Sequence, residues 1–130
     1  MYLVLDYLYL MNTGPIDVKN TKAQMRKGIL EFCILLVISK GKIYTNDIIN
    51  ELKSADLIVV EGTLYPLLNR LKTAGLLEYH WSESKNGPPR KYYDLTENGH
   101  LFLDQLIGTW SALDQSVNTL LKQSRFRKTS

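Results

Sequence analysis

Lys85-Asn86-Gly87-Pro88-Pro89-Arg90-Lys91 is a short basic stretch built around a turn. It falls between two short runs rich in aromatic and apolar residues, 76–81 and 91–95, which their composition marks as strands joined by the polar stretch 82–90. Asn86-Gly87 makes a tight turn, and Pro88-Pro89 stiffens the return. An exposed hairpin needs no positive charge to fold. A rigid tip carrying Lys85, with Arg90 and Lys91 behind it, therefore points to an anionic surface, such as a phosphate backbone or a minor groove. Arg90 reads equally as a partner for an acid that holds the hairpin in place.

Working upstream, Leu64, Leu67, Leu68 and Leu71 fall at i, i+3, i+4 and i+7, the apolar face of a helix over about 61–74. Its opposite face shows Thr63, Tyr65, Asn69, Arg70 and Lys72. Pro66 fits near a first turn and would kink the helix deeper in. Gly75 is the stop. Before it, Thr45 is the expected N-cap of a short helix to about residue 53, with Tyr44, Ile48, Ile49 and Leu52 as its buried stripe. The span 21–39 reads as a further helix, with Lys22, Arg26 and Lys27 in its first half. Residues 29–38 are apolar nearly all round, which predicts burial on every side. Tandem helices followed by a basic-tipped hairpin form the layout of a winged helix-turn-helix, a mainly α, α+β fold.

Downstream, Leu103, Leu106, Trp110, Leu113, Val117 and Leu120 are spaced 3, 4, 3, 4, 3. This heptad seam predicts a long helix over 96–121 that pairs along a narrow stripe. A chain of this length has little left to cover it, so a second subunit is expected, giving a two-fold homodimer; the alternative is that the seam simply caps the domain's own core. The organisation is then an N-terminal extension 1–15, a winged helix-turn-helix domain 16–95, a dimerisation helix 96–121 and a basic tail 122–130.

The chain of 130 residues is 45% apolar, enough for one cored domain. The net charge is only +3, but its distribution is uneven: residues 19–94 hold 12 Lys/Arg against 8 Asp/Glu, and the tail holds Lys122, Arg125, Arg127 and Lys128 with no acid. Phosphate binding needs such local clusters. The single cysteine, Cys33, lies in an apolar run and reads as a small buried residue, which excludes an internal disulfide and suits a reducing, cytoplasmic setting. The first eleven residues are mostly Tyr, Leu and Val, too short to span a bilayer and without the charged start of a signal peptide. They read as an extra packing element or as the product of a start codon placed too early, and carry no assigned function.

The 61–74 helix has the size and polarity of a major-groove reader, with Thr63, Asn69 and Arg70 for base edges or phosphates and Tyr65 for a phosphate oxygen. A two-fold axis would bring Trp110 near its mate. The two indoles would then either wall a slot for a flat aromatic or cationic molecule or simply fill the interface. His80 and His100 stand alone, no spacing suits a metal or cofactor, and no phosphate loop or serine elbow occurs, so an enzyme is not expected.

Glu61-Gly62-Thr63-Leu64-Tyr65-Pro66-Leu67-Leu68-Asn69-Arg70-Leu71, closing with Ala74-Gly75-Leu76-Leu77, resembles the recognition-helix motif of PadR-type regulators. Gly87-Pro88-Pro89-Arg90-Lys91-Tyr92-Tyr93-Asp94-Leu95-Thr96, ending in Gly99, resembles their wing strand and the start of their dimer helix. The similarity covers about residues 21–121. Thr45 departs from it, standing where many members carry glycine. The resemblance implies a dimeric transcriptional repressor of the short subfamily that binds double-stranded DNA at a pseudo-palindromic operator. Some multidrug-responsive members hold planar compounds between paired tryptophans, and Trp110 sits at a matching place. A winged helix that serves protein–protein contact without DNA is the rival expectation.

Overall fold

The computed structural model describes residues 16–124. The extension 1–15 and the tail beyond residue 124 lie outside the described residues. In chain order the elements are α1 (Val18–Ile38), β1 (Ile43–Tyr44), α2 (Thr45–Ser54), α3 (Glu61–Thr73), β2 (Leu77–Ser82), β3 (Arg90–Leu95) and α4 (Glu97–Gln123). The chain divides into two compact units, one ending at Glu31 and one beginning at Phe32.

The described part of the first unit is the opening stretch of α1. Asp17 caps it: its Oδ1 accepts from the backbone N–H of Lys19 at 2.9 Å, and its carbonyl accepts from the Thr21 N–H and Oγ1. The helix consequently starts three residues before the expected position 21. Lys22, Arg26 and Lys27 are exposed along this stretch.

The second unit contains the rest of the winged helix. Ile34, Leu35 and Ile38 of α1, Ile48 and Leu52 of α2, and Leu64, Leu68 and Leu71 of α3 form its buried centre. Leu77, Tyr93 and Leu95 close it from the sheet, and Leu103 from α4. The expectation that residues 29–38 are buried on every side does not hold within one chain. Only Ile34, Leu35 and Ile38 are buried there, while Phe32, Cys33 and Val37 are half-buried and Leu36 is exposed, because the other elements cover one side of α1 only. Partial burial pushes the Cys33 thiol above its ordinary value, so it stays protonated at neutral pH.

The sheet has three strands in the order β1-β3-β2, all antiparallel. β1 was not expected from the sequence: Ile43 pairs with Tyr93 and Tyr44 with Tyr92. Tyr44 is thus a strand residue and the N-cap of α2, not part of that helix's buried stripe, and Thr45 is the buried first residue of α2 instead of its cap. Pro66 is the sixth residue of α3, deeper than expected, yet the helix runs unbroken to Thr73. Its missing N–H leaves only the Gly62 carbonyl without its helical donor.

Both helix ends around α3 use the same 6→1 and 5→2 closure. At the end of α2, Leu57 N–H donates to Leu52 O and Asp56 N–H to Lys53 O, with Asp56 at φ 62°. At the end of α3, Leu76 N–H donates to Leu71 O and Gly75 N–H to Lys72 O, with Gly75 at φ 80°. Glycine adopts that conformation freely; Asp56 does so at a cost.

Thr96 locks the sheet to α4. Its backbone N–H donates to Leu76 O at 3.0 Å, its Oγ1 donates to Gly75 O at 2.6 Å, and the same oxygen accepts from Gly99 N–H at 3.0 Å. A side chain on Gly99 would collide with the Leu76 carbonyl, so only glycine lets α4 start this close. No described helix is long and apolar enough to cross a membrane.

Candidate nucleic-acid interface

The site is drawn from the second unit alone. On α3 the apolar positions 64, 68 and 71 are buried, and Thr63, Tyr65, Asn69 and Arg70 are all exposed, as their helical spacing requires. At about 100° per residue, Gly62, Pro66, Asn69 and Thr73 run along the middle of the exposed face. Thr63 and Arg70 fall on one flank, Tyr65 and Lys72 on the other. A Cβ at Gly62 would meet nothing within 4 Å, so its own chain has no steric need for glycine there. Glycine and proline at mid-face leave a low ridge that lets the helix backbone approach an external surface closely.

The hairpin follows within the same unit. β2 and β3 pair from Leu77 opposite Leu95 to Ser82 opposite Arg90. Alternation along this register puts Leu77, Tyr79, Trp81, Lys91, Tyr93 and Leu95 on one face and Glu78, His80, Arg90, Tyr92 and Asp94 on the other. Lys85 and Asn86 are exposed in the loop between the strands, and Lys85 makes no ion pair among the described residues. The Asn86 N–H approaches Ser84 Oγ at 3.4 Å.

The two basic residues that return from the tip are differently placed. Arg90 lies over the Tyr44 ring, 5.5 Å from its centre, and Tyr44 in turn meets Tyr92 edge-on at 5.9 Å. Lys42 covers the Tyr92 ring from 5.3 Å. Arg90 therefore packs against the base of the hairpin, as the second of its two expected roles has it but over a ring in place of an acid, and at about 0.5–1 kcal/mol such a cation–ring contact helps to order the wing. Lys91 lies on the opposite face over Tyr79, 3.9 Å from the ring centre. Two residues to which the sequence reading gave no contact role join it: Lys72, 4.3 Å from the centre of the same ring, and Trp81, 65% exposed. The alternation of 77, 79 and 81 against 91, 93 and 95 carries the signal for them, once the strand register is known.

The seam residues of α4 divide into two groups. Leu103 is only 4% exposed and is buried in its own chain, which corrects its expected place between subunits. The first turn of α4 lies against β3 and the Gly75–Leu76 corner, and Leu103 is the side chain this directs inward. Leu106 is half-buried, and Trp110, Leu113, Val117 and Leu120 are exposed. Trp110 meets Phe32 of α1 at 6.3 Å between ring centres and remains 45% exposed.

The sequence matches the Transcriptional regulator PadR-like family over residues 34–105. A PadR-like transcription factor from Bacteroides fragilis is 57% identical, covering 78% of this chain and 98% of that one, with a TM-score of 0.66. A PadR family transcriptional regulator from Eggerthella lenta is 29% identical, covering 82% and 94%, with a TM-score of 0.74. The chain also shares its fold with Bacillus subtilis PadR, solved in complex with operator DNA, at 23% identity and a TM-score of 0.56, covering 61% of this chain and 46% of that one.

Proposed function

We propose, from the premise that this chain belongs to the PadR-like family of transcriptional regulators, that it is a sequence-specific DNA-binding repressor acting as a homodimer. The observation that carries this reading is the row of exposed polar residues Thr63, Tyr65, Asn69 and Arg70 on α3, followed in the same compact unit by a hairpin with exposed Lys85 and Asn86 at its tip. α3 enters a major groove, with Asn69 and Arg70 toward base edges and Tyr65 and Thr63 toward phosphates. The wing tip lies along the backbone or in the adjacent minor groove. Lys22, Arg26 and Lys27 add phosphate contacts, and Lys91 contributes from the wing. The complex of Bacillus subtilis PadR with operator DNA supports this class of partner.

Dimerisation runs through Leu106, Trp110, Leu113, Val117 and Leu120 of α4 and the half-exposed side of α1. An apolar row of this length left in water is a site for another surface, and the heptad spacing suits a second copy of the same helix. Two recognition helices then meet half-sites about one helical turn apart on a pseudo-palindromic operator. A planar aromatic or cationic effector seated beside Trp110 and its mate releases the DNA by favouring a dimer geometry with the wrong half-site spacing. A coupling of about 1–3 kcal/mol suffices for such a switch. The setting is cytoplasmic.

Replacing Arg70 and Lys85 by alanine tests the reading. Each change should weaken binding to the gene's upstream duplex by roughly tenfold or more and flatten its salt dependence, with the fold intact by circular dichroism. Wild-type affinity in both variants would leave the winged helix as a protein-binding module. For the effector, planar cations should quench Trp110 fluorescence, and a varied panel without quenching would reduce Trp110 to packing.

A further inference from the structure

Lys72 near the end of α3 and Lys91 on β3 are drawn onto one ring, with their Nζ atoms 4.3 Å and 3.9 Å from the centre of Tyr79. Lys91 is also 5.5 Å from the Tyr93 ring centre and 5.9 Å from that of Trp81. Rings attract single cations, but gathering two ammonium groups on one of them is opposed by their mutual repulsion. A carboxylate would relieve it, yet neither lysine makes an ion pair among the described residues. The acids of the two strands, Glu78 and Asp94, are cross-strand partners and so belong to the opposite face of the sheet. Among the described residues, then, no carboxylate neutralises the pair, which leaves it free to receive an anion from solution.

Resting on the DNA-binding reading above, we infer that Lys72 and Lys91, set by Tyr79, form a seat for a DNA phosphate between the recognition helix and the wing. Helical geometry supports the placement. Lys72 and Tyr65 share the flank of α3 that packs toward β2, while Thr63 and Arg70 occupy the other flank. A helix in a major groove has one strand's phosphates along each flank, so Lys72 meets the strand that passes under the wing. Exposed Trp81 stands beside Lys91 and gives the seat an apolar wall against the sugars. The seat is separate from the tip at Lys85, and its ring-held lysines are ordered before DNA arrives, which reduces the entropy lost on contact.

The test is Lys72→Gln in the full chain, with binding to operator and scrambled duplexes followed by fluorescence anisotropy over a salt series. The seat predicts a fall of about fivefold on both duplexes alike and a decrease of about one in the slope of log affinity against log salt. Tyr79→Leu should reproduce both changes and Tyr79→Phe neither, because only the first removes the ring. Should Tyr79→Leu fail to fold, Lys72→Gln, an exposed helix substitution, still decides. An unchanged salt slope in Lys72→Gln overturns the seat, and so does a loss confined to the operator duplex, which would make Lys72 a base reader. Wild-type protein that binds neither duplex would sink the DNA-binding reading itself, a different result from either.

Discussion

Helices α3 and α4 both carry apolar side chains at alternating spacings of three and four, but with different outcomes. Leu64, Leu68 and Leu71 on α3 are buried within the chain, whereas Trp110, Leu113, Val117 and Leu120 on α4 are exposed. The periodicity is a property of each helix alone, whereas burial depends on what else the chain brings to that face. α3 packs on β2, which follows it after a three-residue corner, and its leucines are buried along with Ile34, Leu35, Ile38, Ile48 and Leu52. α4 keeps Leu103 buried and Leu106 half-buried, touches α1 where Trp110 meets Phe32, and then carries its stripe on with Leu113, Val117 and Leu120 exposed. An apolar stripe in a sequence therefore identifies a face that needs a partner without saying whether the same chain supplies it.

Leu68→Ala on α3 should have the largest effect. Leu68 is fully buried, so the change should cost about 2–5 kcal/mol and lower the urea midpoint at every protein concentration. Leu113→Glu on α4 should behave differently. At 56% exposure its effect on the single chain's stability should stay within about 0.5 kcal/mol, while sedimentation should show monomer in place of the proposed wild-type dimer. If Leu113→Glu lowered the urea midpoint as much as Leu68→Ala, the two stripes would be equivalent and α4 would have no face left for a second copy. The smallest effect concerns the corner leading into α3. Asp56→Gly removes a non-glycine residue from a positive-φ position and should gain up to about 1 kcal/mol by chemical denaturation. No gain would mean that the aspartate is held there without strain.

Much of this architecture was legible in the residues. The leucines of α3, the turn at Asn86-Gly87 and the seam of α4 are local patterns, and each marks its element to within a few residues. What escaped was non-local. β1 is two residues long and exists only because Tyr92 and Tyr93, some fifty positions away, pair with it. With Tyr44 held in that strand, the cap of α2 moves one residue back from Thr45. Leu103 matches the seam in spacing, but the corner at Gly75–Leu76 directs it inward. At the candidate interface, the exposed face of α3 was readable from helical period alone. Lys72 was readable on that face too, but its meeting with Lys91 on Tyr79 was not, because it depends on a strand register that no local pattern fixes.

The contacts of Thr96 give the molecule a mechanical character. One side chain and its backbone tie the exit of α3, the start of β2 and the first turn of α4 into a single joint, and Gly99 removes the space that would let it slip. Beyond that joint α4 extends 27 residues, a lever about 40 Å long. A rotation of about 10° at the joint displaces its far end by about 7 Å, and the same rigidity works in reverse. In the proposed dimer, small changes in how two such levers cross are returned, without slack, as changes in where the two reading helices stand.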